Sequence, residues 1–127
     1  MGSDSIGDNR DGAELTSMES DPIHLDYSPE QPSRESIDQL PGPTLLQFGT
    51  NWCGYCARAE RLIEEALEDH PGIRRVKVED GKGEPLGRSF AVTLWPTLVF
   101  LKDGKEIARL VRPGDVRDID SALLKVE

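Results

Sequence analysis

The sequence contains few residues that could bind a metal. It has two cysteines and two histidines in 127 residues. Neither histidine stands at a metal-ligand spacing from the cysteines, and two cysteines alone are too few for a structural zinc site, which usually has four nitrogen and sulfur ligands. We therefore expect no bound metal and no bound cofactor. Two structural interpretations of the cysteine pair are half of a metal site and a stabilising disulfide. A disulfide between cysteines three positions apart would close a very short loop, which constrains little of the unfolded chain.

Long apolar runs and clusters of basic residues are also missing. No run approaches the roughly 18 apolar residues of a membrane-spanning helix, so we expect no membrane span. No basic stripe is present, so we expect no nucleic-acid binding. The first residues lack the charged start and apolar core of a secretory signal. This predicts a cytoplasmic location, or a periplasmic one if a signal has been removed.

Acidic charge is concentrated at the beginning of the chain. Residues 1–30 contain eight acidic residues and one basic residue, whereas residues 31–127 contain 16 and 14. Residues 1–22 are rich in Gly, Ser, Asp and Asn, and they are predicted to form a disordered acidic tail, because they cannot bury enough apolar surface to offset the entropy of ordering. Residues 23–127 are predicted to form one domain, which we expect to be monomeric.

Strand and helix patterns alternate along this domain. The predicted order is β-α-β-α-β-α-β-β-α, with strands at 23–25, 44–49, 73–79, 97–101 and 106–111, and with helices after Ser33, after the cysteines, over 86–90 and after Asp115. This order favours an α/β fold in which a central mixed sheet carries helices on both faces and ends in an antiparallel hairpin.

The cysteines lie in the segment Trp52-Cys53-Gly54-Tyr55-Cys56, between a predicted buried strand and a predicted helix. A thiolate attacks a disulfide and a thiol does not. The N-terminus of a helix favours an anion, so Cys53 is the candidate nucleophile. Cys56 falls on the apolar side of the helix, and it is the candidate resolving thiol, which attacks the mixed disulfide and releases the reduced substrate.

Three neighbouring residues are candidates for substrate binding. Gly54 leaves room for a substrate backbone. Trp52 offers a flat apolar shoulder, with half-buried packing under the loop as the alternative. Tyr55 either tunes the environment of the thiols or is an exposed ring.

The chain resembles the thioredoxin family. The resemblance is carried by Phe48 with the cysteine motif, by the segment Trp95-Pro96-Thr97-Leu98-Val99-Phe100, and by the turn Lys102-Asp103-Gly104-Lys105-Glu106; it spans roughly residues 23–126. It implies the thioredoxin fold, with Pro96 as a cis-proline beside the cysteines. A cis bond at this place presents the backbone of Trp95 to an extended substrate. The alternative is a trans proline at a strand edge.

The sequence departs from the family pattern at several positions. Gly-Tyr replaces Gly-Pro between the cysteines, so the redox potential of thioredoxin, about −270 mV, cannot be assumed. Gln47 replaces the buried aspartate thought to deprotonate the resolving thiol, and Glu60 is a candidate substitute. Val76 is interpreted as replacing the lysine that partners this aspartate.

Two further departures lie close to the substrate side of the motif. Trp95 is larger than the aliphatic residue usual before the cis-proline, and Arg112-Pro113 replaces a glycine-containing loop. We therefore expect a substrate choice that differs from that of a general thioredoxin.

The predicted function is thiol–disulfide oxidation and reduction, with Cys53 and Cys56 reducing the disulfides of protein substrates. The resemblance implies a thiol or disulfide electron donor, and the family expectation is a thioredoxin reductase. Three alternatives are an extracytoplasmic oxidant or isomerase, a glutathione-dependent glutaredoxin, and a binding module that uses Trp52 and Trp95.

Overall fold

The computed structural model describes residues 25–127. The predicted acidic tail, its boundary with the domain, and residues 23 and 24 of the predicted first strand lie outside this range. Leu25 is buried but does not belong to a strand, and strand pairing occurs instead at Ser28, through a parallel bridge to Val78. The prediction of a strand at Leu25 is therefore wrong.

The other predicted elements are present, with bounds that differ by a few residues. They are α1 (Arg34–Asp38), β1 (Pro43–Gly49), α2 (Gly54–Leu67), β2 (Arg74–Glu79), α3 (Pro85–Ser89), β3 (Thr97–Lys102), β4 (Lys105–Val111) and α4 (Val116–Val126). Side chains cap α1 and α4 as predicted: Ser33 accepts from the backbone N–H of Ser36, and Asp115 from that of Arg117. Such caps satisfy backbone donors that the first helical turn leaves unpaired.

The sheet is mixed, with strand order β2-β1-β3-β4. β1 is parallel to β2 and antiparallel to β3, and β3 and β4 form the predicted terminal hairpin. Asp103 and Gly104 turn this hairpin, with φ of 52° and 81°. Asp-Gly is a favoured pair for such a turn, because it tolerates positive φ at both positions.

Helices cover both faces of the sheet, as predicted. One core lies between the sheet and the helices α2 and α4, and includes Leu45, Ile63, Phe100 and Leu123. A second core lies on the opposite face, where α1 and α3 cover Leu46, Phe48, Val99 and Leu101. Alternate residues of β1 thus face opposite cores, so Gln47 faces the same side as α2.

His70 links the end of α2 to α4. Its ring is almost fully buried; its Nε2 lies 2.7 Å from Oδ1 of Asp120, and its Nδ1 lies 2.9 Å from Oε2 of Glu127. The two carboxylates raise the pKa of His70 above its ordinary value, because they stabilise the protonated ring.

Within residues 25–127, none of the helices has the length and apolar character needed to cross a lipid bilayer.

Candidate active site

Cys53 and Cys56 lie where β1 leads into α2. Cys53 is the N-cap of α2, and its Sγ accepts a hydrogen bond from the backbone N–H of Cys56 at 3.2 Å. Both cysteines are free thiols; Cys53 is partly exposed, whereas Cys56 is fully buried one turn inside the helix. The helix therefore presents one sulfur to solvent and keeps the other behind it.

Burial sets the protonation of Cys56. It raises the pKa of the Cys56 thiol to about 12, and the neighbouring Cys53 adds to the increase. A backbone hydrogen bond from Thr50 and a side-chain hydrogen bond from Tyr27 act in the opposite direction, because both favour the thiolate. Cys56 is consequently a protonated thiol at neutral pH.

Tyr27 lies beside Cys56, although it precedes the motif by more than 20 residues. Two hydrogen bonds with Asn51 hold its backbone in place: Tyr27 N–H donates to Asn51 Oδ1 at 2.8 Å, and Asn51 Nδ2 donates to Tyr27 C=O at 3.2 Å. Its side chain passes over Gly49. A Cβ atom at Gly49 would lie 2.6 Å from the Cys56 sulfur and 2.7 Å from the Tyr27 hydroxyl, so this position has to be glycine for the two groups to meet.

A buried polar network extends from Tyr27 through Gln47. Gln47 Nε2 donates to the Tyr27 hydroxyl at 2.6 Å, and Gln47 Oε1 accepts from Arg75 at 2.9 Å and 3.1 Å. Arg75 also donates to Glu60 at 2.9 Å, and Lys77 Nζ lies 3.2 Å from both oxygens of Glu60. Glu60 is thus buried, and it is the ion-pair partner of two cations.

The register of β1 and β2 corrects one interpretation of the sequence. Gln47 pairs with Lys77, and Val76 packs into the core on the opposite face. A residue that partners position 47 must share its face of the sheet, so Lys77 occupies the partner position and Val76 does not. The interpretation that the lysine has been lost is therefore wrong.

Trp95 and Pro96 form a wall beside the cysteines. The bond between them is cis, as the resemblance implies, and Pro96 is buried. The Trp95 indole N–H donates to Asp80 Oδ2 at 2.9 Å, while the Trp95 carbonyl accepts from Arg112 Nε at 2.8 Å. A side chain of the loop after β4 therefore already occupies one of the backbone groups predicted to meet substrate.

The remaining predicted residues are at the surface of the site. Trp52 is 72% exposed, which favours the apolar shoulder over packing under the loop. No side chain would obstruct a Cβ at Gly54. Tyr55 is 48% exposed, and the Arg112 guanidinium lies 3.8 Å from the centre of its ring, with Arg58 at 5.2 Å. Tyr55 is therefore a stacking partner for cations at the rim.

Sequence reasoning missed Tyr27, Arg75, Lys77 and Asp80 as residues around the cysteines. One signal was available for two of them. Arg75 and Lys77 alternate with Val76 and Val78 in β2. Alternate residues of a strand share a face, so both charged side chains had to lie on one face of the sheet, next to the buried strand β1. Among residues 25–127, no group of three or more His, Cys, Asp or Glu could hold a metal ion.

Comparisons with known proteins agree with this geometry. The profile of the family described as Thioredoxin matches residues 29–125. The thioredoxin of Chlamydia trachomatis is 30% identical over 82 residues, which cover 65% of this chain and 78% of that protein. The thioredoxin Asp f 28 of Aspergillus fumigatus is 26% identical over 85 residues, covering 67% and 79%.

A solved structure gives a stronger match. Thioredoxin 2 of Pseudomonas aeruginosa PAO1, in its reduced form, is 52% identical and superposes with a TM-score of 0.72, covering 79% of this chain and 93% of that one. The family profile, the relatives and the fold agree with the Cys-x-x-Cys pair at the start of α2. The chain therefore belongs to the thioredoxin family and is a thiol–disulfide oxidoreductase.

Proposed function

We propose that the chain acts as a reductant of protein disulfides, with Cys53 as the nucleophile and Cys56 as the resolving thiol. The observation that carries the assignment is the difference in exposure between the two sulfurs: only the partly exposed Cys53 is open to a large substrate. The backbone N–H of Cys56 donates a hydrogen bond to the Cys53 sulfur and holds that sulfur at the start of α2.

The proposed cycle has two displacements. The Cys53 thiolate attacks one sulfur of the substrate disulfide, a mixed disulfide forms, and the other substrate sulfur leaves as a thiolate that takes up a proton. Cys56 then loses its proton and attacks the Cys53 sulfur. The Cys53–Cys56 disulfide forms, and the second substrate sulfur leaves and is protonated. The substrate gains two electrons and the cysteine pair loses two.

Substrate recognition is assigned to the rim around Cys53. Trp52 supplies an exposed apolar surface, Gly54 leaves room for a backbone, and Tyr55 supplies an exposed ring. The cis-bonded pair Trp95 and Pro96 completes the proposed site beside the cysteines. The Trp95 carbonyl is covered by Arg112, so an extended substrate has to displace that side chain to use both backbone groups.

The oxidised pair needs an electron donor to be used again. Thioredoxins use their two cysteines as the redox group without a further cofactor, and a thioredoxin reductase is the proposed donor. A cytoplasmic location suits the proposed reduction of disulfides, because thiols persist in a reducing compartment. The chain is proposed to act as a monomer.

Reduction of insulin, with dithiothreitol as the electron source, tests the assignment of roles. Cys53→Ser should abolish activity above the uncatalysed rate, and Cys56→Ser should accumulate a mixed disulfide visible by mass spectrometry. Full activity of Cys53→Ser would contradict the assignment.

Equilibration with glutathione tests the direction. A reductant should have a potential well below the roughly −120 mV of a strong oxidant such as DsbA. A value near that of DsbA would instead support the oxidant alternative.

A further inference from the structure

The orientation of the Gln47 amide follows from its partners. Arg75 has only donors to offer, so the oxygen of Gln47 must face Arg75 and its NH₂ group must face Tyr27. The Tyr27 oxygen, 2.6 Å from Gln47 Nε2, is therefore a hydrogen-bond acceptor in this contact. A phenol has a single proton, and that proton remains available for a different partner.

The Cys56 sulfur is placed to be this partner. The Tyr27 hydroxyl and the Cys56 sulfur lie on the same side of Gly49, each within 2.7 Å of the point that a side chain there would occupy. Tyr27 is 2% exposed and Cys56 is 0% exposed, so bulk water does not compete for the hydroxyl. The two residues also pack together in one small buried cluster with Leu25.

Resting on the proposed function, we propose that Tyr27 is a further catalytic residue, which donates a hydrogen bond to the Cys56 thiolate as that thiolate attacks the mixed disulfide. Gln47 acts through Tyr27 as a positioning residue, and Arg75 fixes Gln47. Burial holds the pKa of Tyr27 well above its ordinary value, so the phenol keeps its proton while the thiolate forms.

This role differs from that of a base. The Cys56 proton ends on the leaving substrate sulfur, directly or through solvent, so Cys53–S–S–R and the Cys56 thiol become Cys53–S–S–Cys56 and R–SH. Tyr27 keeps its proton before and after the step. Tyr27 stabilises the Cys56 thiolate in a protein whose position 47 is a glutamine and so has no carboxylate that could act as a base.

Stopped-flow reaction of the reduced protein with Ellman's reagent separates the two displacements. Attack by Cys53 releases one equivalent of thionitrobenzoate at a rate that depends on reagent concentration. Resolution by Cys56 is intramolecular, so it releases a second equivalent at a rate that is independent of reagent concentration. Tyr27→Phe should slow the second phase about 10- to 100-fold, as expected for a lost hydrogen bond to a charged group, and move its pH midpoint upwards. The first phase should stay within about twofold.

Thr44→Val is the matched control. It also removes a buried hydroxyl, but Thr44 lies at the end of β1 that is farther from the cysteines. Both phases should be unchanged in this variant. Gln47→Met provides a second test if Tyr27→Phe fails to fold: it keeps the side-chain length but removes the amide that donates to the Tyr27 oxygen, so the hydroxyl loses its position and the second phase should slow.

Each outcome decides between distinct explanations. A second phase of wild-type rate and pH midpoint in Tyr27→Phe, or equal slowing of both phases, would overturn the role of Tyr27. If Tyr27→Phe does not fold, a wild-type second phase in Gln47→Met would overturn it. Release of only one equivalent by the wild-type protein would overturn the proposed resolving role of Cys56 itself.

Discussion

Replacement of Gly49 by alanine should destabilise the fold, because the added methyl group would overlap two buried side chains. The new Cβ would lie 2.6 Å from the Cys56 sulfur and 2.7 Å from both Cζ and the hydroxyl oxygen of Tyr27. Favourable contacts between carbon atoms lie at about 3.5–4.0 Å, so the three atoms would each have to move by about 1 Å. All of them belong to side chains that are buried and hydrogen-bonded, and none is the free end of a flexible chain.

The magnitude follows from known costs of overpacking. Inserting a methyl group into a packed core costs about 1–3 kcal/mol, and we expect the upper half of this range, about 2–3 kcal/mol, because three atoms are displaced together. In a domain of about 100 residues this corresponds to a decrease in Tm of about 10–20 °C. The measurement is thermal unfolding of the reduced protein followed by circular dichroism.

Gly72→Ala is the matched control, since nothing lies within 4 Å of a Cβ atom at that position. Its free energy of unfolding should change by less than about 0.5 kcal/mol. A Gly49→Ala variant as stable as Gly72→Ala would refute the close approach of Tyr27 to Cys56.

Two further predictions concern His70 and Arg112. Because the folded state raises the pKa of His70, its pairing should stabilise the protein fully below the ordinary value of about 6.5, and this stabilisation should be lost as pH rises through the raised pKa. Asp120→Asn should therefore flatten the dependence of Tm on pH between about pH 5.5 and 8.5, and an unchanged profile would contradict the pairing. Arg112→Ala frees the Trp95 carbonyl and one face of Tyr55, so KM for a protein disulfide should fall about fivefold at unchanged kcat, as for one net hydrogen bond of about 1 kcal/mol. A KM that rises would instead show that Arg112 binds substrate.

Apart from the strand expected at Leu25, local patterns were sufficient to predict the helices and strands and the position of the cysteine pair. The apolar period of three and four residues after Cys56, and the alternation around Asp103-Gly104, depend only on neighbours in the chain. The prediction for Pro96 came from resemblance and not from local physics, because composition alone favoured a trans bond at a strand edge.

The polar network could not be predicted in the same way. Glu60, Arg75 and Lys77 are charged, and hydropathy patterns assign charged residues to solvent. Their burial depends on the pairing of Gln47 with Lys77, which joins strands about 30 residues apart. Tyr27 lies outside every helix and strand, so periodicity gives no information on which way its ring points.

The edges of the sheet limit how this protein can associate with others. At one edge β4 carries Lys105, Glu106 and Arg109, and its pairing with β3 is irregular at Phe100 and Leu101. Charges and irregular register are features that discourage strand addition from another chain. At the opposite edge the segment at Ser28 already bonds to Lys77 and Glu79 of β2. The reactive sulfur follows the interior strand β1, away from both edges of the sheet. A partner can therefore bind at the sulfur without adding a strand to the sheet, and the protected edges resist aggregation.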